Sequence, residues 1–91
     1  MSKSLTEGPI RALLVTLTPD GTWLREIRLP IAPFPGLGIR LDVYEVMNVD
    51  SVLVGDDGRW EIDVTCIVSR DGGGATQQVL ERLGFEEGVY V

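Results

Sequence analysis

Carboxylates are the most plentiful reactive groups in this chain, and Asp56, Asp57, Asp63, Asp71, Glu86 and Glu87 crowd its second half. A converging pair could shuttle protons or hold a hard divalent cation. Asp56-Asp57-Gly58, however, lacks the alternating oxygen ligands and closing Glu of a calcium loop. Turn formation accounts for the pair, because Asp and Gly both suit tight turns. Glu61 and Asp63 fall on the polar side of an alternating strand pattern, the usual place for solvated charge. The chain has no His and a single cysteine, Cys66, so a thiol nucleophile would lack its imidazole base. Cys66 belongs to the series Trp60, Ile62, Val64, Cys66, Val68, apolar at every second position, which predicts a buried core thiol. One cysteine also means no internal disulfide. These residues predict no catalytic centre, no metal site and no bound cofactor.

Two further patterns resemble ligand sites and fall short of them. Asp71-Gly72-Gly73-Gly74 precedes a helical stretch, where consecutive backbone N–H groups can cradle a phosphate. A phosphate loop ends in Gly-Lys-Ser/Thr, whereas Ala75-Thr76 follows here; a connector is the simpler reading. Arg11, Arg25, Arg28, Arg40, Trp23, Phe34 and Tyr44 could form a nucleic-acid face of the kind found on small barrels. Arg25 and Arg28 point to opposite faces of one strand, and Glu26 and Asp42 are interleaved, which argues against it. Charge points the same way: residues 1–45 carry five positive and five negative side chains, residues 46–91 three and nine, for a net charge of −6. An acidic surplus repels nucleic acid and anionic membrane.

The segment Pro30-Ile31-Ala32-Pro33-Phe34-Pro35-Gly36-Leu37-Gly38 is the remaining functional candidate. Its prolines and glycines exclude helix and regular ladder, yet it is apolar, unlike a solvated loop. It either plugs the sheet or presents a stiff apolar patch to another chain at small ordering cost. The expectation is a mixture, with Ile31 buried and Phe34 at an interface. Ile31, Phe34, Leu37, Arg40 and Tyr44 form the expected partner-binding set.

The elements that must position these residues are mostly strands. Pro19-Asp20-Gly21-Thr22-Trp23 recurs as Asp56-Asp57-Gly58-Arg59-Trp60, each time between apolar runs, which predicts two hairpins with Gly21 and Gly58 at positive φ. The first hairpin is expected as a type I turn with a bulge, pairing Leu17 with Trp23 and Leu13 with Ile27. That arrangement leaves Arg25 on a mainly apolar face. Strand one, from about Ile10 to Thr18, is apolar on both faces and so calls for cover on two sides. The second strand, Trp23 to Leu29, stops at Pro30. The third runs from Ile39 to Val46 and continues through a bulge near Met47-Asn48 into Val49 to Val54. The fifth spans Arg59 to Ser69. Thr76 caps a helix reaching Leu83, and Gly84-Phe85 suits a Schellman ending. The tail Gly88 to Val91 supplies an edge strand.

At 91 residues the chain makes one domain, with residues 1–8 as a loose arm and 9–91 as the folded unit. No apolar run approaches the ~20 residues of a membrane span, and the polar start lacks a secretory signal, so the cytoplasm is the expected compartment; the alternative is a mature chain whose targeting segment is not shown. The expected fold is α+β: about five antiparallel strands, bent or partly closed as a small barrel, with one C-terminal helix. The expected function is a non-catalytic protein-interaction module or small accessory or inhibitory protein, with a protein partner or self-association as a homo-oligomer. A small-ligand or nucleic-acid binding β-barrel is the alternative, and a carboxylate-dependent enzyme stands third.

Overall fold

Strand β1 (Ile10–Thr18) is apolar on both faces and lies inside the sheet, paired along its two edges with neighbouring strands, with Ala12 to Thr16 buried. A computed structural model describes residues 8–19, 21–43, 45–54, 62–70 and 76–88. In chain order the remaining elements are β2 (Gly21–Leu29), β3 (Gly38–Asp42), β4 (Glu45–Val54), β5 (Val64–Arg70), α1 (Gln77–Arg82) and β6 (Glu86–Gly88). The strands form one open sheet in the order β3-β4-β5-β1-β2-β6. The result is a small β-rich domain with a short helix, but two expectations need correction. The sheet has six strands rather than about five, and it is mixed, because β5 runs parallel to β1. It is also not closed as a barrel: β3 and β6 remain as edges.

Cross-strand partners share a face, so the register shows what each face holds. Ala12 lies opposite Ile27, Leu14 opposite Arg25 and Thr16 opposite Trp23. The pairing is therefore one residue away from the expected one: Leu17 faces Thr22, and Leu13 faces Glu26. Thr18 stands opposite Gly21 at the hairpin end, so the connection is shorter than the bulged turn predicted. Gly21 has φ +145°, positive as expected. The Asp56-Gly58 turn and Trp60 lie outside the described residues.

One face of the sheet carries the main core. Ala12, Leu14, Trp23, Ile27, Leu29, Ile39, Met47, Val49, Cys66 and Val68 pack there with Leu80, Leu83 and Phe85 from the helical segment. Val64, Cys66 and Val68 keep their expected common face, with Cys66 fully buried.

The middle of the chain departs from expectation. β3 and β4 are two strands of a hairpin, with Asp42 opposite Glu45. The sequence offers no Gly there, so nothing local marks the turn. A bulge is present, but it falls between Val49 and Ser51 in β4, where the pairing with β5 shifts by one residue.

The helix follows its local signals closely. The Thr76 hydroxyl accepts from the Val79 N–H at 3.3 Å, and Gly84 takes φ +84°. The Gly84 N–H donates to Glu81 O at 3.1 Å and the Phe85 N–H to Leu80 O at 2.9 Å. These are the two bonds of a Schellman motif, and its apolar clasp joins buried Phe85 to buried Leu80. The chain then enters β6, which pairs antiparallel with β2; of the edge strand expected over Gly88 to Val91, residues 89–91 lie outside the described residues.

Candidate interaction surface

The connection from β2 to β3 must pass three strands, because β1, β5 and β4 lie between its ends. Four inter-strand spacings amount to about 19 Å. Eight residues, 30–37, reach about 25 Å at polyproline pitch. The segment has little slack, and its three prolines restrict its backbone. It is a strap across the sheet rather than a loose loop.

At its far end the strap is pinned to β4. The Gly36 N–H donates to Val49 O at 2.8 Å, and the Val49 N–H donates to Leu37 O at 2.8 Å. The Leu37 N–H also donates to Phe34 O at 3.0 Å. With Pro35 at the second position and Gly36 at φ +95°, Phe34-Pro35-Gly36-Leu37 is a type II turn. The Pro-Gly dipeptide was a legible signal for it.

Two side chains tie the strap inward. Pro33 is buried, and Leu37 packs against the core. Two others point outward: Ile31 is 53% exposed and Phe34 52% exposed. The expectation that Ile31 is buried is therefore wrong, and Pro33 holds that role instead. Pro33 has no N–H to satisfy, so its ring can enter the interior without leaving a donor unpaired. Phe34 and Leu37 meet in one turn; Arg40 is exposed on edge strand β3. Tyr44 lies outside the described residues, as do Asp71 to Gly74.

The polar chemistry of the fold sits elsewhere, in a cluster that sequence reasoning did not identify. Glu45 is buried, and its carboxylate accepts from Arg70 Nε at 2.8 Å and from a terminal Arg70 nitrogen at 2.9 Å. A terminal Arg82 nitrogen donates to the same carboxylate at 3.1 Å. The cluster joins β4, β5 and α1. Its signal was strand parity, since Glu45, Met47 and Val49 alternate onto one face once β4 is known to begin at Glu45. Beneath the end of α1, Arg25 donates to Leu83 O. Among the described residues no buried side-chain nitrogen or oxygen lacks a partner, which is how a sheet interior tolerates these charges.

Burial raises the Cys66 thiol above its ordinary value and so keeps it protonated. Among the described residues, no three His, Cys, Asp or Glu side chains converge as a metal site would need. None of the described helices is long and apolar enough to cross a membrane. No family model, curated protein or solved structure matches this chain.

Proposed function

We propose that this domain is a non-catalytic interaction module whose contact surface is the strap of residues 30–37 together with the neighbouring sheet edge. The single observation that carries this reading is the outward placement of Ile31 and Phe34 on a segment fixed at Pro33, Gly36 and Leu37. Exposed apolar side chains on a rigid frame lose little entropy on binding, which makes them good anchors. Arg40, exposed on β3, adds a cation at the rim, and the Tyr44 ring follows it in the sequence. The partner is a protein, and the setting is the cytoplasm, where a domain without disulfides needs no oxidising environment.

The test is a double variant, Ile31→Ser with Phe34→Ala. Its urea midpoint should stay near that of the parent, because both side chains are about half exposed in the free domain. Affinity capture from the native cell, quantified for both proteins, should lose a discrete partner with the variant. Sedimentation of the purified chain separates self-association from binding another protein. Equal capture and equal mass for the two proteins would overturn the reading.

A further inference from the structure

The outer edge of β4 changes character along its length. β3 pairs with β4 only as far as Asn48, and the strap covers Val49 with two backbone bonds. Past the bulge, Ser51 to Val54 pair with β5 on the inner side. Among the described residues no strand lies on the outer side there. A sheet edge of this kind presents a row of N–H and C=O groups spaced to pair with another extended backbone.

Native edges are normally blunted, and the other two in this sheet are. β3 carries Arg40 and an irregular register between Arg40 and Asp42, while β6 is three residues long and carries Glu86 and Glu87. By contrast, the open part of β4 reads Val52-Leu53-Val54, with Leu53 49% and Val54 80% exposed. Phe34 stands at the start of the turn bonded to Val49, so the exposed strap borders this edge.

We infer that the edge from Asp50 to Val54 binds by strand addition, accepting an extended segment of a partner protein that is apolar in its middle and basic at its end. This rests on the interaction reading given above and specifies its mode. The apolar middle follows from Val52 and Val54 on one face and Leu53 on the other. The basic end follows from the negative charge of Asp50, exposed where the open edge begins, whose carboxylate also accepts from Ser69 Oγ on β5 at 3.1 Å. A second copy fits worse. Two β4 edges paired about Val52 would set Asp50 against the apolar Val54 of the other copy, and each chain carries a net charge of −6.

The test uses the intact protein, labelled with nitrogen-15, and an acetylated, amidated heptapeptide Lys-Val-Thr-Val-Thr-Val-Lys as probe. Saturable shifts at the Ser51 to Val54 amides below about 1 mM peptide are expected, with slowed hydrogen exchange at those amides. The peptide ended by Glu should bind about tenfold more weakly, and Asp50→Lys should reverse that order. Val54→Lys should abolish binding with its urea midpoint unchanged. Methylating alternate backbone nitrogens of the probe should do the same from the other side. Shifts confined to other regions, no shift at all, or equal binding of the methylated probe would overturn strand addition. If that happens while the strap variant still loses its native partner, the interaction reading survives and only the mode is wrong.

Discussion

The Arg25 guanidinium donates to the Leu83 carbonyl oxygen at 2.6 Å, joining the middle of β2 to the end of α1. The last carbonyls of a helix have no partner within it and carry partial negative charge, so a half-buried cation there is favourable. Burial lowers the Arg25 pKa from its ordinary value, yet an arginine stays charged throughout the working range. Arg25→Ala should therefore destabilise the domain by about 2 kcal/mol, the scale of a hydrogen bond to a charged group. Arg25→Lys should recover only part, since an ammonium lacks the planar reach of the guanidinium. Urea denaturation measures both.

Gly84 is coupled to this bond. A Cβ on Gly84 would lie 3.3 Å from Arg25 Nε, and its φ of +84° already disfavours any side chain. Gly84→Ala should cost about 1–2 kcal/mol on backbone grounds. In the Arg25→Ala background the same change should cost less, because the crowding is gone. A double-mutant cycle giving strictly additive losses would count against this coupling.

The Glu45 cluster predicts an order rather than one number. Its side chain is 7% exposed, against 28% for Arg70 and 57% for Arg82. Removing the buried acid takes its carboxylate from both arginines, whereas removing Arg82 leaves the bidentate Arg70 pair intact. Glu45→Ala should cost about 3 kcal/mol, Arg70→Ala less, and Arg82→Ala under about 1 kcal/mol. Urea midpoints in the reverse order would show that this cluster does not clasp the helix.

Local signals made the helix legible to the residue at both ends: Thr76 caps it and Gly84-Phe85 closes it. Strand existence was legible too, because alternation in Val64 to Val68 and the two-sided apolarity of β1 are properties of single segments. What escaped was long-range. Nothing in the sequence of β5 says that it lies parallel to β1, since a crossover depends on which strand faces are left uncovered. The one-residue register difference in the first hairpin had the same origin, as the turn alone permits either pairing. Arg25 was the clue: it sits on the core face beside Trp23 and Ile27, and only the helix end explains why. In the strap, apolar character was visible, but which ring turns inward was not. Pro33 and Phe34 differ in burial through the path of the backbone between fixed ends.

Cys66 makes a pH prediction. Its pKa in the native protein is raised above the ordinary value of 9.0 because burial penalises the thiolate. Above pH 9 the unfolded chain loses this proton while the native protein keeps it. The unfolded state then binds fewer protons, so stability falls as pH rises from about 9 to the native pKa, by up to about 1.4 kcal/mol per pH unit. Below that window the group contributes no pH dependence. Cys66→Ala should flatten this alkaline limb at the cost of a small cavity. The native thiol should also label slowly with a thiol reagent, and rapidly once the chain is unfolded.

The strap predicts an asymmetry between shortening and lengthening. Its eight residues span about four strand spacings and spend part of their length on the turn at 34–37. Deleting the exposed Ala32 removes about 3 Å from a segment with almost none to spare. Either Pro33 leaves its buried site or the two bonds at Val49 break, and the loss should exceed about 3 kcal/mol. Inserting one Gly between Ile31 and Ala32, both exposed, adds only a small loop-closure cost and should lower stability by less than about 1 kcal/mol. A slack loop would tolerate both changes about equally. Comparing the two urea midpoints therefore decides whether residues 30–37 are under geometric tension, which is what would hold Ile31 and Phe34 outward.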